Sequence, residues 1–209
     1  MIELTDTVRD AFARGYLDEV SSNVAKLPLA QIVLFAETVE RAYRDDRQVF
    51  VIGNGGSAST ASHMACDLAK NIYPAAVAGA AVRRFRVLSL TDNVALITAL
   101  ANDCGYDRVF AEQLSYYVRP DDLVIAISAS GNSPNILEGL STARAAGART
   151  AALLGFDGGR ARELADVAVV VDSRNYGHVE DAHLVVNHLV TAWMRRVVAL
   201  SLPSACLRP

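Results

Sequence analysis

Apolar and polar positions change their period once along the chain, and that change divides it in two. From Thr5 to Arg44 the apolar residues recur at helical spacing. Val8, Phe12, Tyr16 and Val20 make one stripe; Ile32, Phe35, Val39 and Ala42 make another. Pro28 separates them and suits the first turn of the second helix. The pattern predicts a helical hairpin whose stripes are core, packed on this domain or on a second subunit. After Arg47 the period shortens. Residues 48–52, 86–90, 123–128, 150–154 and 167–171 are short, nearly continuous apolar runs, as expected of parallel strands covered on both faces. Helical patterns fill the intervals at 59–71, 94–101, 106–118, 136–146 and 159–164. A last helix is expected over 179–200, before Pro203.

This alternation predicts the α/β class: a doubly wound parallel sheet of about five strands behind an N-terminal helical hairpin. No repeat, low-complexity tract or linker interrupts it. One domain is expected, with helices over 1–46 and the α/β core and C-terminal helix over 47–209. Ligands of such sheets sit beyond the carboxyl ends of the strands.

Composition narrows the function classes. Of the 209 residues 52% are hydrophobic and 21% charged, which suits a large buried core. A net charge of −3 gives no field for nucleic acid, so no nucleic-acid partner is expected. The three cysteines, Cys66, Cys104 and Cys206, make no disulfide framework and suit a reducing cytoplasm. Glu3, Asp6, Arg9 and Asp10 interrupt any secretory leader. The apolar stretch 77–81 is far too short for a membrane span, so no membrane is expected. A cytoplasmic protein is the expectation.

Two loops carry the candidate chemistry. The first, Gly53-Asn54-Gly55-Gly56-Ser57, leaves an apolar strand and opens a helix. Its glycines admit a ligand close to the backbone, and helix N–H groups point at incoming negative charge. It has neither the lysine of a Walker loop nor dinucleotide-binding spacing. The second, Ser128-Ala129-Ser130-Gly131-Asn132-Ser133, also lies between a strand and a helix, with Pro134 next. One serine there is explained by helix capping, but three hydroxyls are not. Serine-lined helix starts without a nearby arginine suit a phosphate monoester held by neutral donors.

Beyond the first loop, His63 and Asp67 stand one helical turn apart on one face. Cys66 points elsewhere and is expected to be buried. Near the C-terminus, residues 175–188 hold three of the four histidines. Glu180 and His188, two turns apart, share a face there; His183 and Asn187 share a neighbouring one. Exposed histidines are common near helix ends, and His178 and His183 take that bland reading.

Taken in order, GNGGSASTASHMACDLAKN, ALANDCGYDRVFAEQL, SASGNSPNILEGLSTARAAG and LLGFDGGRARELADVAVVVDS resemble the sugar isomerase (SIS) domain family. Within it they are most similar to the phosphoheptose isomerases, which act on sedoheptulose 7-phosphate. The resemblance runs from about Val49 to the last helix. It implies a flavodoxin-like three-layer sandwich, a homotetramer with active sites between subunits, and one zinc ion per subunit. It places Asn54, Gly55, Gly56 and Ser57 around the ligand, Ser128, Ala129, Ser130 and Ser133 on its phosphate, and Asn102 and Asp103 near the sugar. His63, Asp67, Glu180 and His188 fall at the family's zinc and acid–base positions, Glu180 also touching substrate.

Two positions depart from that pattern. Asp67 stands where the family usually has Glu, and Glu180 where it has Gln. The shorter acid changes its reach toward a proton. Two carboxylates and two imidazoles suit a divalent zinc-like ion; without one, the paired acids would push one pKa up and still form an acid/base pair. The resemblance implies an aldose–ketose isomerase making D-glycero-D-manno-heptose 7-phosphate through an enediol or enediolate, in heptose biosynthesis. Asp67 is the candidate base, with Glu180 an open alternative, and His188 the partner acid. The other readings are an isomerase of another phosphosugar and a non-catalytic sugar-phosphate-binding regulator of the DnaA-initiator-associating type.

Overall fold

A computed structural model describes residues 6–73 and 83–201. The stretch 77–81, Glu3 and Cys206 lie outside the described residues. Two helices, α1 (Asp6–Ala25) and α2 (Leu29–Arg44), precede the sheet. Then come β1 (Val49–Gly53), α3 (Gly56–Cys66), a π-helical turn Asp67–Asn71, β2 (Val87–Ser89), α4 (Val94–Cys104) and a 3-10 turn Tyr106–Arg108. The chain continues with α5 (Val109–Tyr117), β3 (Leu123–Ser128), α6 (Pro134–Ala145), β4 (Arg149–Gly155), α7 (Ala161–Leu164), β5 (Val167–Val171) and α8 (Tyr176–Ser201).

All five strands run parallel in the order β2-β1-β3-β4-β5. The α/β class and the flavodoxin-like three-layer arrangement expected from the sequence are therefore observed. Alternate side chains of each strand feed two cores. Val51, Ile125, Ile127 and Leu153 pack with Phe35 and Val39 of α2, Met64 of α3, and Val186 and Met194 of α8. Phe50, Ile52, Val124 and Leu154 pack on the opposite face with Phe110 and Leu114 of α5 and Ile136 and Leu140 of α6. Both faces are covered, which is why the strands read as continuous apolar runs rather than alternating ones.

The order reverses between β1 and β3. These neighbours pair from Val49↔Leu123 to Gly53↔Ile127, so they end side by side. Their chains then leave toward opposite layers, β1 into α3 and β3 into α6. That divergence is where open α/β sheets form the crevice that binds their ligands.

Several expectations are corrected. The α1 stripe is not core within this chain: α1 buries no residue, and Val8 and Phe12 are exposed. Periodicity reports an apolar face, not what covers it. Cys66 is exposed rather than buried. Pro28 precedes the first residue of α2 instead of lying within its first turn.

His178 and His183, expected as unremarkable exposed histidines near a helix end, are instead buried and hold the fold together. His178 sits between Asn23 of α1 and Asn175, each at 3.2 Å, and edge-on to Tyr16. It ties α1 to α8. His183 donates from Nε2 to the carbonyl of Leu154 at 3.0 Å, and its Nδ1 has no partner among the described residues. Burial without a counter-charge lowers its pKa from 6.5 to about 4.

This gives a stability prediction. Above pH 6.5 the ring is neutral folded and unfolded and adds no pH dependence. As pH falls below 6.5, the unfolded chain takes up a proton that the folded chain refuses, and stability drains until about pH 4. The full loss is about 3 kcal/mol. Urea unfolding at pH 7, 5.5 and 4 should show His183→Gln losing less stability with acid than the parent, by roughly that amount. Equal acid losses would remove His183 from this role.

Candidate active site

The first loop leaves β1 at its C-terminal end and opens α3 at Gly56. Gly55 adopts φ +54°. Asn54 exchanges two amide hydrogen bonds with Asn135, each 2.8 Å, and its Oδ1 also accepts from the Tyr106 hydroxyl at 3.0 Å. Asn135 lies in the first turn of α6 and is buried. The two ligand loops are thus cross-linked by a pair of amides. Neither Asn135 nor Tyr106 was singled out by the sequence. The available signal was an Asn two places after the serine loop, inside the region of resemblance.

The second loop is shaped by its own serines. Ser128 Oγ accepts from the N–H of Gly131 at 3.1 Å, and Ser130 Oγ from that of Asn132 at 3.3 Å. Gly131 has φ +63°, and a Cβ there would fall 2.0 Å from the carbonyl oxygen of Gly158. Ser133 is the N-cap residue of α6, yet its hydroxyl makes no capping bond. Capping therefore does not consume the hydroxyl, which stays available to a ligand; Pro134 has no N–H, and the N–H groups of Ile136 and Leu137 donate to the Ser133 carbonyl.

On the other side of the crevice α3 carries His63, and Asp67 begins the π-helical turn. Such turns are common at functional sites because they re-aim side chains within a helix. α8 brings His188 across. His63 Nε2 lies 3.2 Å from Asp67 Oδ2 and 3.2 Å from His188 Nε2, and His188 Nε2 lies 3.9 Å from the same carboxylate oxygen. The three ligand atoms lie within 4.8 Å of one another. Asp67 is 4% exposed, while both rings are open to solvent.

Asp67 is held from behind. Asn71 donates to Oδ1 at 2.6 Å, Asn187 to Oδ2 at 3.0 Å, and Thr191 to Oδ2 at 3.4 Å. Asn71 and Thr191 had no sequence signal, and Asn187 was read only as sharing a face with His183. Polar residues one turn apart on a helix usually mean a solvated face.

Glu180 does not join the three. Eight residues along α8 separate it from His188, about 12 Å of rise. Sharing a face does not bring two side chains together. Its carboxylate lies instead at the first loop, where a Cβ on Gly56 would approach both its oxygens to 2.5 Å. Asn102 and Asp103 are exposed near the end of α4 and bond each other at 2.7 Å. They neighbour Tyr106 in sequence, and through it the first loop.

Two nitrogens and one carboxylate oxygen make a donor set suited to a zinc-like ion, with room for a further ligand. The opposing serine loop offers neutral donors and no cation, which suits a phosphate monoester more than a polyphosphate.

Comparison with known proteins agrees with this geometry. The SIS domain model matches residues 15–155. A phosphoheptose isomerase of Chlorobaculum parvum is 37% identical over 176 residues, covering 84% of this chain and 82% of that protein. One from Pelobacter propionicus is 37% identical over 164 residues, covering 78% and 83%. Among solved structures, a phosphoheptose isomerase from Neisseria gonorrhoeae superposes with a TM-score of 0.81 at 26% identity, covering 92% of this chain and all of that one. By sequence and by fold, the chain belongs to the SIS domain family, within its phosphoheptose isomerase group.

Proposed function

We propose that this protein is an aldose–ketose isomerase converting sedoheptulose 7-phosphate to D-glycero-D-manno-heptose 7-phosphate, in heptose biosynthesis. One observation carries the reading: a single helix, α3, starts at the ligand loop and ends at the imidazole–carboxylate cluster. From Ser57 to His63 it rises about 9 Å. That span suits the carbon chain of a long sugar phosphate, anchored at one end and reacting at the other.

The charges set the orientation. Glu180 already places a carboxylate at the N-terminus of α3 and would repel a phosphate there. The phosphate is assigned to Ser128, Ala129, Ser130 and Ser133 and the start of α6. Asn54, Gly55, Gly56, Ser57 and Glu180 then face the sugar hydroxyls, with Asn102 and Asp103 beside them. Anchoring the phosphate orients the reacting carbons, so remote binding lowers the barrier of the chemical step.

Proton transfer between C1 and C2 needs a base on carbon and an acid on oxygen. Asp67 is assigned as the base and His188 as the acid. His63, 3.2 Å from both, fixes their relative orientation. His63, Asp67 and His188 would hold a zinc ion, one per subunit, which when bound would polarise the sugar carbonyl. Glu180 stands apart within one chain, so its metal role would require a second subunit.

The exposed apolar residues support such an assembly. Phe12 and Leu17 of α1, Leu34 of α2, and Leu189 and Trp193 of α8 lie open on the helical layer that carries His188. A homotetramer with active sites between subunits is the state we assign, the whole chain forming one SIS domain. No described helix is long and apolar enough to cross a membrane.

Incubated with sedoheptulose 7-phosphate, the protein should form the aldose product, and prior chelation should abolish turnover. No conversion at any zinc loading would refute the proposal; conversion only of other ketose phosphates would move it to another phosphosugar. Asp67→Asn should lower kcat about 10²–10⁴-fold while substrate binding survives, and Glu180→Gln should cost far less. The opposite ranking would transfer the base role to Glu180.

A further inference from the structure

Asp67 has the shortest acidic side chain, yet its carboxylate reaches both imidazoles. Something must set where so short an acid points. Its Oδ2 is the atom turned to His63 and His188, and the closest side-chain donor behind that atom is Asn187, at 3.0 Å. A carboxylate only accepts, so the contacting atom of Asn187 is its amide nitrogen. That orientation leaves Asn187 Oδ1 buried with no partner among the described residues. Asn187 itself is 1% exposed. An orphaned buried acceptor opposes folding, and an aliphatic residue of similar size would avoid it. The amide is therefore poorly explained by stability alone, and well explained by what its nitrogen does to Asp67.

We propose that Asn187 is the positioning residue for Asp67: it fixes Oδ2 against His63 and His188. This rests on the reading of Asp67 as base and ligand given above. Asn71 acts on the other oxygen and closes the carboxylate's swing. Asn187 does not touch substrate. Its effect passes through Asp67, so it should alter the chemical step and the cation site and leave phosphate anchoring alone.

The test pairs Asn187→Val with Asp67→Glu in a double-mutant cycle on the full chain. Asn187→Val should lower kcat 10–100-fold with KM for sedoheptulose 7-phosphate within about threefold, and weaken Co²⁺ binding, read by its visible spectrum, by 10–100-fold. Its Tm should change little, the lost donor to Asp67 offsetting the removed orphaned acceptor. Asp67→Glu alone should also lower kcat, the longer acid colliding with Asn187 and Thr191. In the double variant the glutamate has the room its length needs, so kcat should exceed that of either single variant. Unchanged kcat and Co²⁺ affinity in Asn187→Val would overturn the proposal. So would a lowered Tm with kcat and KM impaired together, or purely additive losses in the double variant. If the parent protein does not turn over the heptulose, the function proposed above fails, and Co²⁺ affinity alone decides the role of Asn187. If it neither turns over nor binds Co²⁺, both fail.

Discussion

Everything at this site depends on β1 and β3 being neighbours that send their chains to opposite layers. Parallel strands must be joined by crossovers, and a crossover commits each strand's exit to one face of the sheet. β1 exits into α3 and β3 into α6, so their own crossovers leave the gap between the strand ends open. Two helix N-termini border that gap. The amide pair Asn54–Asn135 spans it and keeps the two loops in register. The crevice is thus a consequence of strand order, and the side chains refine it.

The second constraint is the length of α8. It packs Val186 and Met194 into the core beneath the sheet and must also present His188 to α3. Residues i and i+2 on a helix point in very different directions. The core face therefore fixes the angle at which His188 emerges. Asn187 and Thr191 lie at the border of that face, buried, and turn inward to Asp67. The cluster is assembled between two helices that are each held by the apolar core. That makes its geometry stiffer than a site built on loops.

Much of this was legible in the sequence for a simple reason. A fully covered parallel sheet writes itself as short apolar runs with helical patterns between, and β3 and β5 fall on residues 123–128 and 167–171 as expected. The loops were legible because glycine and serine clusters between a strand and a helix have few other uses. What escaped was of two kinds. Asn71, Asn135 and Thr191 are polar residues on helices, and one-dimensional spacing cannot separate a solvated face from a buried clamp. The stripe of α1 and the pair Glu180–His188 were overread. Periodicity gave direction around the axis but said nothing of what faced it, nor that two turns of helix hold side chains about 12 Å apart.

The departures at Asp67 and Glu180 are best understood together with their surroundings. A carboxylate's position is a property of the whole cage of donors, not of its own chain length. Shortening the acid moves it toward its own helix. Donors on the facing helix, Asn187 and Thr191, then meet its Oδ2 from behind, while Asn71 holds Oδ1. The change at Glu180 acts at the other end of the crevice. A neutral amide there would leave the positive end of α3 free for an anion, whereas a carboxylate occupies that field itself. An acid thus stands at each end of α3: Glu180 of α8 beside its first residue, and Asp67 just past its last, facing the imidazoles. The serine loop, by contrast, has neutral donors and no carboxylate of its own. That distribution of charge is the physical basis of the orientation proposed above, with the phosphate at α6 and the reacting carbons toward His188.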